Sequence, residues 1–193
     1  MGAFRSSTPK RSNVTTVVAH YREHKVPLMA DYRNRCGYCD DPDTWRFVWF
    51  VIDHFVPQAV MKLITETDYR NLVYACRSCN NAKRAKWPTG DENVHNLNEI
   101  GFIDPCDDNY DDQFERTDAG RILPRTRLGE WKYNALKLYK PQHEILWNIE
   151  QLHLLIAEIK SLRVNDPAND LLKDKLIETY DNYDKYLQSL FKL

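Results

Sequence analysis

The stretches CGYCDD (residues 36–41) and ACRSCNNAKRAK (residues 75–86) carry two C-x-x-C pairs, Cys36/Cys39 and Cys76/Cys79. A C-x-x-C pair makes a tight knuckle that points two thiolates at one ion. Two knuckles together read as a tetrahedral four-cysteine zinc site. A thioredoxin-type redox motif needs one pair, so the double pair is read as a structural zinc staple. The N-terminal MGAFRSSTPKRSN has basic residues with no apolar segment behind them, so no secretory leader is expected. The expected location is therefore a reducing cytoplasm, where structural disulfides are rare. The fifth cysteine, Cys106, reads as a small buried hydrophobe.

Between the two pairs lies the stretch that carries chemistry. WRFVWFVI (residues 45–52) is aromatic and β-branched and predicts a strand that ends in Asp53-His54. Residues 55–70 form a long connection, with a short helix expected at 59–64. A second strand is expected at 72–75, and a helix opens at the second C-x-x-C and is stopped by Pro88 and Gly90. The staple would bring Asp53, His54 and Asn80 into one place. A carboxylate (Asp53) and an amide oxygen (Asn80) are hard ligands that suit Mg²⁺ or Mn²⁺. His54 beside them offers an imidazole that can take a proton from water. Asn71 is expected to fix the imidazole through its backbone or its amide. Arg77, Lys83, Arg84 and Lys86 lie on one helix and are expected to grip phosphates. Water, base, hard metal and basic helix together amount to phosphodiester hydrolysis.

VIDHFVPQ (residues 51–58) followed by NLVYACRSCNNAKRAK (residues 71–86) closely resembles the HNH endonucleases, including those of bacterial defence systems and of RNA-guided effectors. The resemblance implies a ββα-metal fold. It makes Asp53 and Asn80 the metal ligands, His54 the general base and Asn71 a structural residue. The last position of the motif, often histidine, is Asn80 here, which favours a hard cation over zinc at the catalytic site. The resemblance further implies DNA as the substrate, with RNA as the alternative. Residues 101–126 more loosely resemble stand-alone defence nucleases, some of which are gated by a partner ATPase.

Outward from this core the sequence is plainer. Residues 1–13 are polar and are expected to be flexible. Residues 15–31 predict a helix, a break at Pro27 and a short second helix. The Asp-Ala-Gly-Arg piece (residues 118–121) predicts a turn between two short strands. From residue 129 the chain reads as helical. Ile145, Ile149, Leu152, Ile156 and Ile159 form one stripe, and Leu172, Leu176, Tyr180, Tyr183, Leu187 and Leu190 a second. Asp166 and Pro167 are expected to start the second helix. The fold expected is α+β: a small ββα core over residues 36–87 inside a domain spanning 14–128, flanked by an N-terminal helix and a C-terminal αα-hairpin over 129–193.

Residues 1–90 carry 14 Lys+Arg against 8 Asp+Glu, and the rest 13 against 20, within a net charge of −1. A basic half suits a polyanion, and the acidic helical half suits a scaffold, a protein partner or self-association. A mean hydropathy of −0.64 and the lack of a long apolar run exclude a membrane-spanning helix. His20 and His24 stand four apart but lack the glutamate of a zinc-protease helix, so they read as a solvated face. The acidic run at 107–112 lacks the glycine and terminal glutamate of a calcium loop and reads as solvated too. The reading that competes with a nuclease is a non-catalytic, zinc-dependent nucleic-acid-binding or interaction subunit, which would bind with steep salt dependence and not cleave.

Overall fold

Residues 2–44 and 49–192 are described by a computed structural model, whose fold is α+β. In chain order the elements are β1 (Gly2–Ala3), α1 (Lys25–Asp31), β2 (Phe50–His54), β3 (Leu72–Cys76), α2 (Arg77–Lys83), β4 (Asn96–Leu97), β5 (Ile100–Gly101), β6 (Phe114–Arg116), β7 (Ile122–Pro124), α3 (Arg127–Leu136), α4 (Pro141–Asn165) and α5 (Asp170–Phe191). Two compact units emerge, one of Met1–Thr117 with Ile122–Tyr139 and one of Asp118–Arg121 with Lys140–Leu193. Helix α3 thus belongs with the first unit, where it packs on α2, β5 and β7.

The first unit is built on the antiparallel pair β2–β3, in register from Phe50 opposite Cys76 to His54 opposite Leu72. Every residue of β3, LVYAC, is buried, as expected of a strand with both faces covered. Of the strand expected over 45–52, residues 45–48 lie outside the described residues, and β2 begins at Phe50 and runs on to His54. The knuckle before β2 docks on β3 through the Gly37 amide, which donates to the Tyr74 carbonyl at 2.9 Å. A Cβ at Gly37 would stand 2.5 Å from the Tyr32 ring and 2.9 Å from Val73, so only glycine lets the knuckle come this close.

Several expectations are corrected. Residues 1–13 are packed, not loose: β1 pairs with β6, Phe4 is buried, and Arg11 holds both oxygens of Asp104 and the Leu72 carbonyl. Residues 15–18 are not helical, consistent with a β-branched run. Pro27 does not break α1 but sits in its first turn, where a missing N–H costs nothing. Residues 59–64 make turns and bends, not a helix, because their amides bond elsewhere. Helix α2 ends at Lys83, before Pro88, where Arg84 adopts φ 48°. The turn expected at 118–121 does join two short antiparallel strands, β6 and β7.

In the second unit α4 and α5 pack together through a short link. Asn169 caps α5 by accepting from the Leu172 amide, so the cap is not Asp166, which instead accepts from the Asn169 side chain. Ile149, Ile156 and Ile159 of the first stripe are buried; on α5, Thr179 is buried where Tyr180 was expected, one position round the helix. Asp118–Arg121 joins this unit: Arg121 pairs with Glu144 at 2.9 Å, and Asn148 donates to the Ala119 carbonyl. Among the described residues no helix is long and apolar enough to cross a membrane.

Candidate active site

The four thiols Cys36, Cys39, Cys76 and Cys79 are buried, and their sulfur atoms lie within 4.8 Å of one another. Cys39 Sγ and Cys76 Sγ are 3.8 Å apart. Four thiolates held at about 2.3 Å around one ion stand ~3.8 Å from each other, so the donor set and its spacing fit tetrahedral zinc. Cys76 doubles as the N-cap of α2, its sulfur accepting from the Cys79 amide at 3.4 Å. Knuckle, strand end and helix start are therefore one unit, which aims the body of α2 back along β2.

That aim brings Lys83 onto Asp53. Lys83 is fully buried, and its ammonium donates to Asp53 Oδ2 at 2.9 Å and to the His54 carbonyl at 2.8 Å. Tyr38, inside the first knuckle, donates its hydroxyl to the same Oδ2 at 2.6 Å. Among the described residues Asp53 Oδ1 has no hydrogen-bond partner. Burial pushes the Asp53 carboxyl above its usual range, against the pull of the Lys83 ammonium and the Tyr38 hydroxyl. Burial also pushes the Tyr38 hydroxyl well up, with the Asp53 charge adding to it, so Tyr38 stays a donor. The phosphate-gripping role expected of Lys83 is corrected: a fully buried ammonium cannot reach a phosphate in solvent.

His54 is held from one side. Its Nε2 lies 2.9 Å from the Glu66 carbonyl, and Tyr21 sets its ring edge against the imidazole at 4.6 Å. A carbonyl only accepts, so Nε2 carries the proton, and in the neutral ring Nδ1 keeps the lone pair. Asn71 does not touch the ring. Its amide accepts from Val56 N at 2.8 Å and donates to Val56 O at 3.1 Å, while its carbonyl accepts from Phe55 N. The expectation that Asn71 fixes the imidazole is thus corrected: Asn71 pins the chain just after His54, and Glu66 orients the ring.

Asn80 lies on α2 three residues before Lys83, the residue whose ammonium binds Asp53. It is half-buried, and among the described residues its side chain has no hydrogen-bond partner. A free carboxylate oxygen and a free amide on neighbouring elements form a donor set that fits a hard cation. Of the other basic residues, Arg77 is exposed over the Trp49 ring at 5.5 Å, and Arg84 is exposed at the end of α2. Lys86 spends its ammonium on the Ala82 and Ala135 carbonyls at the C-terminal ends of α2 and α3.

Residues 36–86 match the family model for HNH endonucleases. The HNH segment spans both knuckles, Asp53, His54, Asn71 and Asn80, and it points to a metal-binding nuclease. No curated protein and no solved structure matches the chain. Tyr38 and the Glu66 carbonyl are partners of Asp53 and His54 that motif spacing does not reveal. Lys83 had a signal: it stands four residues after buried Cys79, on the same helix face.

Proposed function

We propose that this protein is a metal-dependent endonuclease that hydrolyses phosphodiester bonds of DNA, with His54 as general base. The observation that carries the reading is the bond between His54 Nε2 and the Glu66 carbonyl, which in the neutral ring leaves the lone pair on Nδ1. His54 Nδ1 takes a proton from water as the water's oxygen attacks phosphorus in line and the 3′ oxygen leaves. The imidazolium so formed keeps its Nε2–H on the Glu66 carbonyl, which stabilises the charge. Asp53 Oδ1 and the Asn80 amide would hold Mg²⁺ or Mn²⁺, which when bound supplies Lewis-acid stabilisation of the scissile phosphate and the leaving oxygen. Lys83 and Tyr38 hold the Asp53 carboxylate in place and favour its charged form against the opposing effect of burial. Arg77 and Arg84, both exposed, are the cations of α2 placed to meet backbone phosphates. The resemblance to defence nucleases supports an effector role under a partner's control. The C-terminal helices, which expose Leu154, Leu162, Leu171 and Ile177, are the part of the chain that suits such a partner.

The test is cleavage of supercoiled plasmid, with a structured RNA alongside, in Mg²⁺, Mn²⁺ and EDTA. The expected result is metal-dependent nicking of DNA that falls by about 10²–10⁴-fold in His54→Ala, the range general-base catalysis supplies. Zinc content and thermal transition stay unchanged in the variant. Undiminished cleavage by His54→Ala overturns the assignment. Salt-sensitive binding without cleavage in any metal favours the non-catalytic binder instead.

A further inference from the structure

The His54 ring is bonded to a backbone carbonyl of the loop that follows it. Between β2 and the single 3-10 turn at Tyr69–Asn71 the chain runs through turns and bends, and Glu66, whose carbonyl holds the imidazole, lies within this stretch. What fixes this loop comes from outside the HNH segment. Glu92, six residues past the end of that segment, is 3% exposed and aims its carboxylate at the loop's backbone. Oε2 accepts from Lys62 N at 2.7 Å, Leu63 N at 3.1 Å and Ile64 N at 3.4 Å, and Oε1 accepts from Leu63 N at 3.0 Å. The Lys62 amide above all, with those of Leu63 and Ile64, holds the Glu92 carboxyl below its usual range, so it is charged when it binds them.

Three consecutive amides gathered on one carboxylate fix the chain two residues before Glu66. Glu92 is itself anchored. Trp87 Nε1 donates to the neighbouring Asp91 carbonyl at 2.8 Å, and the Trp87 ring stands edge-on to Phe55, the residue after His54, at 5.2 Å. The loop is thus closed at its ends by Asn71 on Val56 and held at its middle by Glu92 on residues 62–64, with Glu66 between residues 62–64 and Asn71 in sequence.

We infer that Glu92 is a positioning residue for His54: by binding the amides of residues 62–64 it keeps the Glu66 carbonyl on Nε2 and so keeps the base's lone pair on Nδ1. This rests on His54 being the base of the reaction proposed above. A glutamate that served stability alone could be replaced with no change in the imidazole of the folded protein, and that is where the test looks.

The full zinc-loaded chain is prepared as wild type, Glu92→Gln and Glu92→Ala, and the His54 ring nitrogens are followed by ¹⁵N NMR, which separates the two neutral tautomers without any cleavage. The expected result is an Nε2–H tautomer in the wild type and a mixture in the variants, larger in Glu92→Ala than in Glu92→Gln, which keeps one acceptor. Where the wild type cleaves, kcat falls on the order of 10²-fold in Glu92→Ala, the scale of a misplaced catalytic group. KM stays near its wild-type value. Glu92→Gln is nearly isosteric and serves if Glu92→Ala fails to fold. A folded variant whose His54 stays fully Nε2–H overturns the inference. A wild type that does not cleave, yet shows the tautomer shift in the variants, sustains the positioning role and counts against the nuclease reading alone.

Discussion

The two ends of the β2–β3 hairpin are held by different means. Where Phe50 faces Cys76, four buried thiols converge to within 4.8 Å and a metal can close the structure. Where His54 faces Leu72, hydrogen bonds hold the site: Lys83 and Tyr38 on Asp53, Glu66 on His54, Asn71 on Val56. A closed four-thiolate site has no open position and does no chemistry, so it can be made as rigid as the metal allows. A working site must keep lone pairs unspent. Here each group that is oriented by one atom leaves another uncommitted: Oδ1 of Asp53 while Oδ2 is bound, and Nδ1 of His54 while Nε2 is bound. Tyr38 joins the two ends, since it lies within the first C-x-x-C and donates to Asp53.

Removing the metal should break this contrast most deeply. Structural zinc contributes about 10–16 kcal/mol of apparent binding energy in small zinc-finger peptides. That is comparable to the ~5–15 kcal/mol that holds a whole domain. A strong chelator at neutral pH should therefore abolish the thermal transition of the unit containing residues 36–87, as read by calorimetry with and without zinc. A transition that survives chelation would show that the hairpin closes without its staple.

A substitution at the other end should cost less and leave zinc in place. In Lys83→Met the buried Asp53 loses its ion-pair partner and the His54 carbonyl loses a donor. Breaking a buried pair from one side costs about 3–5 kcal/mol. Urea unfolding should report that loss, and the double variant Lys83→Met/Asp53→Asn should recover part of it. A loss below ~1 kcal/mol, the scale of an exposed ion pair, would place Lys83 outside the buried pair.

The difference between the ends also explains what the sequence could announce. The staple was legible because each knuckle is local: two cysteines three apart specify their own turn, whatever the rest of the chain does. Asp53, His54, Asn71 and Asn80 were legible as residue types at a spacing, and the short strands β6 and β7 from the turn residues between them. The bonds that orient the site were not. Glu66 acts through a backbone carbonyl that no side chain marks, and Tyr38 reaches Asp53 only once the knuckle folds against β3. Arg5 and Arg11 looked like a loose basic tail because their partners, Asp111 and Asp104, lie some hundred residues away. Lys83 was misread because a lysine near other basic residues suggests a solvated face, although its phase with Cys79 turns it inward.

The smallest expected effect separates the ends by their response to acid. Metal binding to thiolates releases protons, so lowering the pH weakens the zinc end. Glu92 does not respond over the same range. Its carboxyl is held below its usual value by the Lys62, Leu63 and Ile64 amides. Its stabilising effect is therefore complete above the unfolded value of ~4.3 and is lost only as pH falls through the lower folded value. Between about pH 8 and pH 5.5 the carboxylate is ionised in both states, so the stability difference between wild type and Glu92→Gln should stay flat while both proteins lose stability together through the staple. Denaturant titrations of the pair across that range measure it directly. A difference that shrinks before pH 5.5 would mean that the loop amides do not hold the carboxyl down, and that the chemistry end shares the acid sensitivity of the metal end.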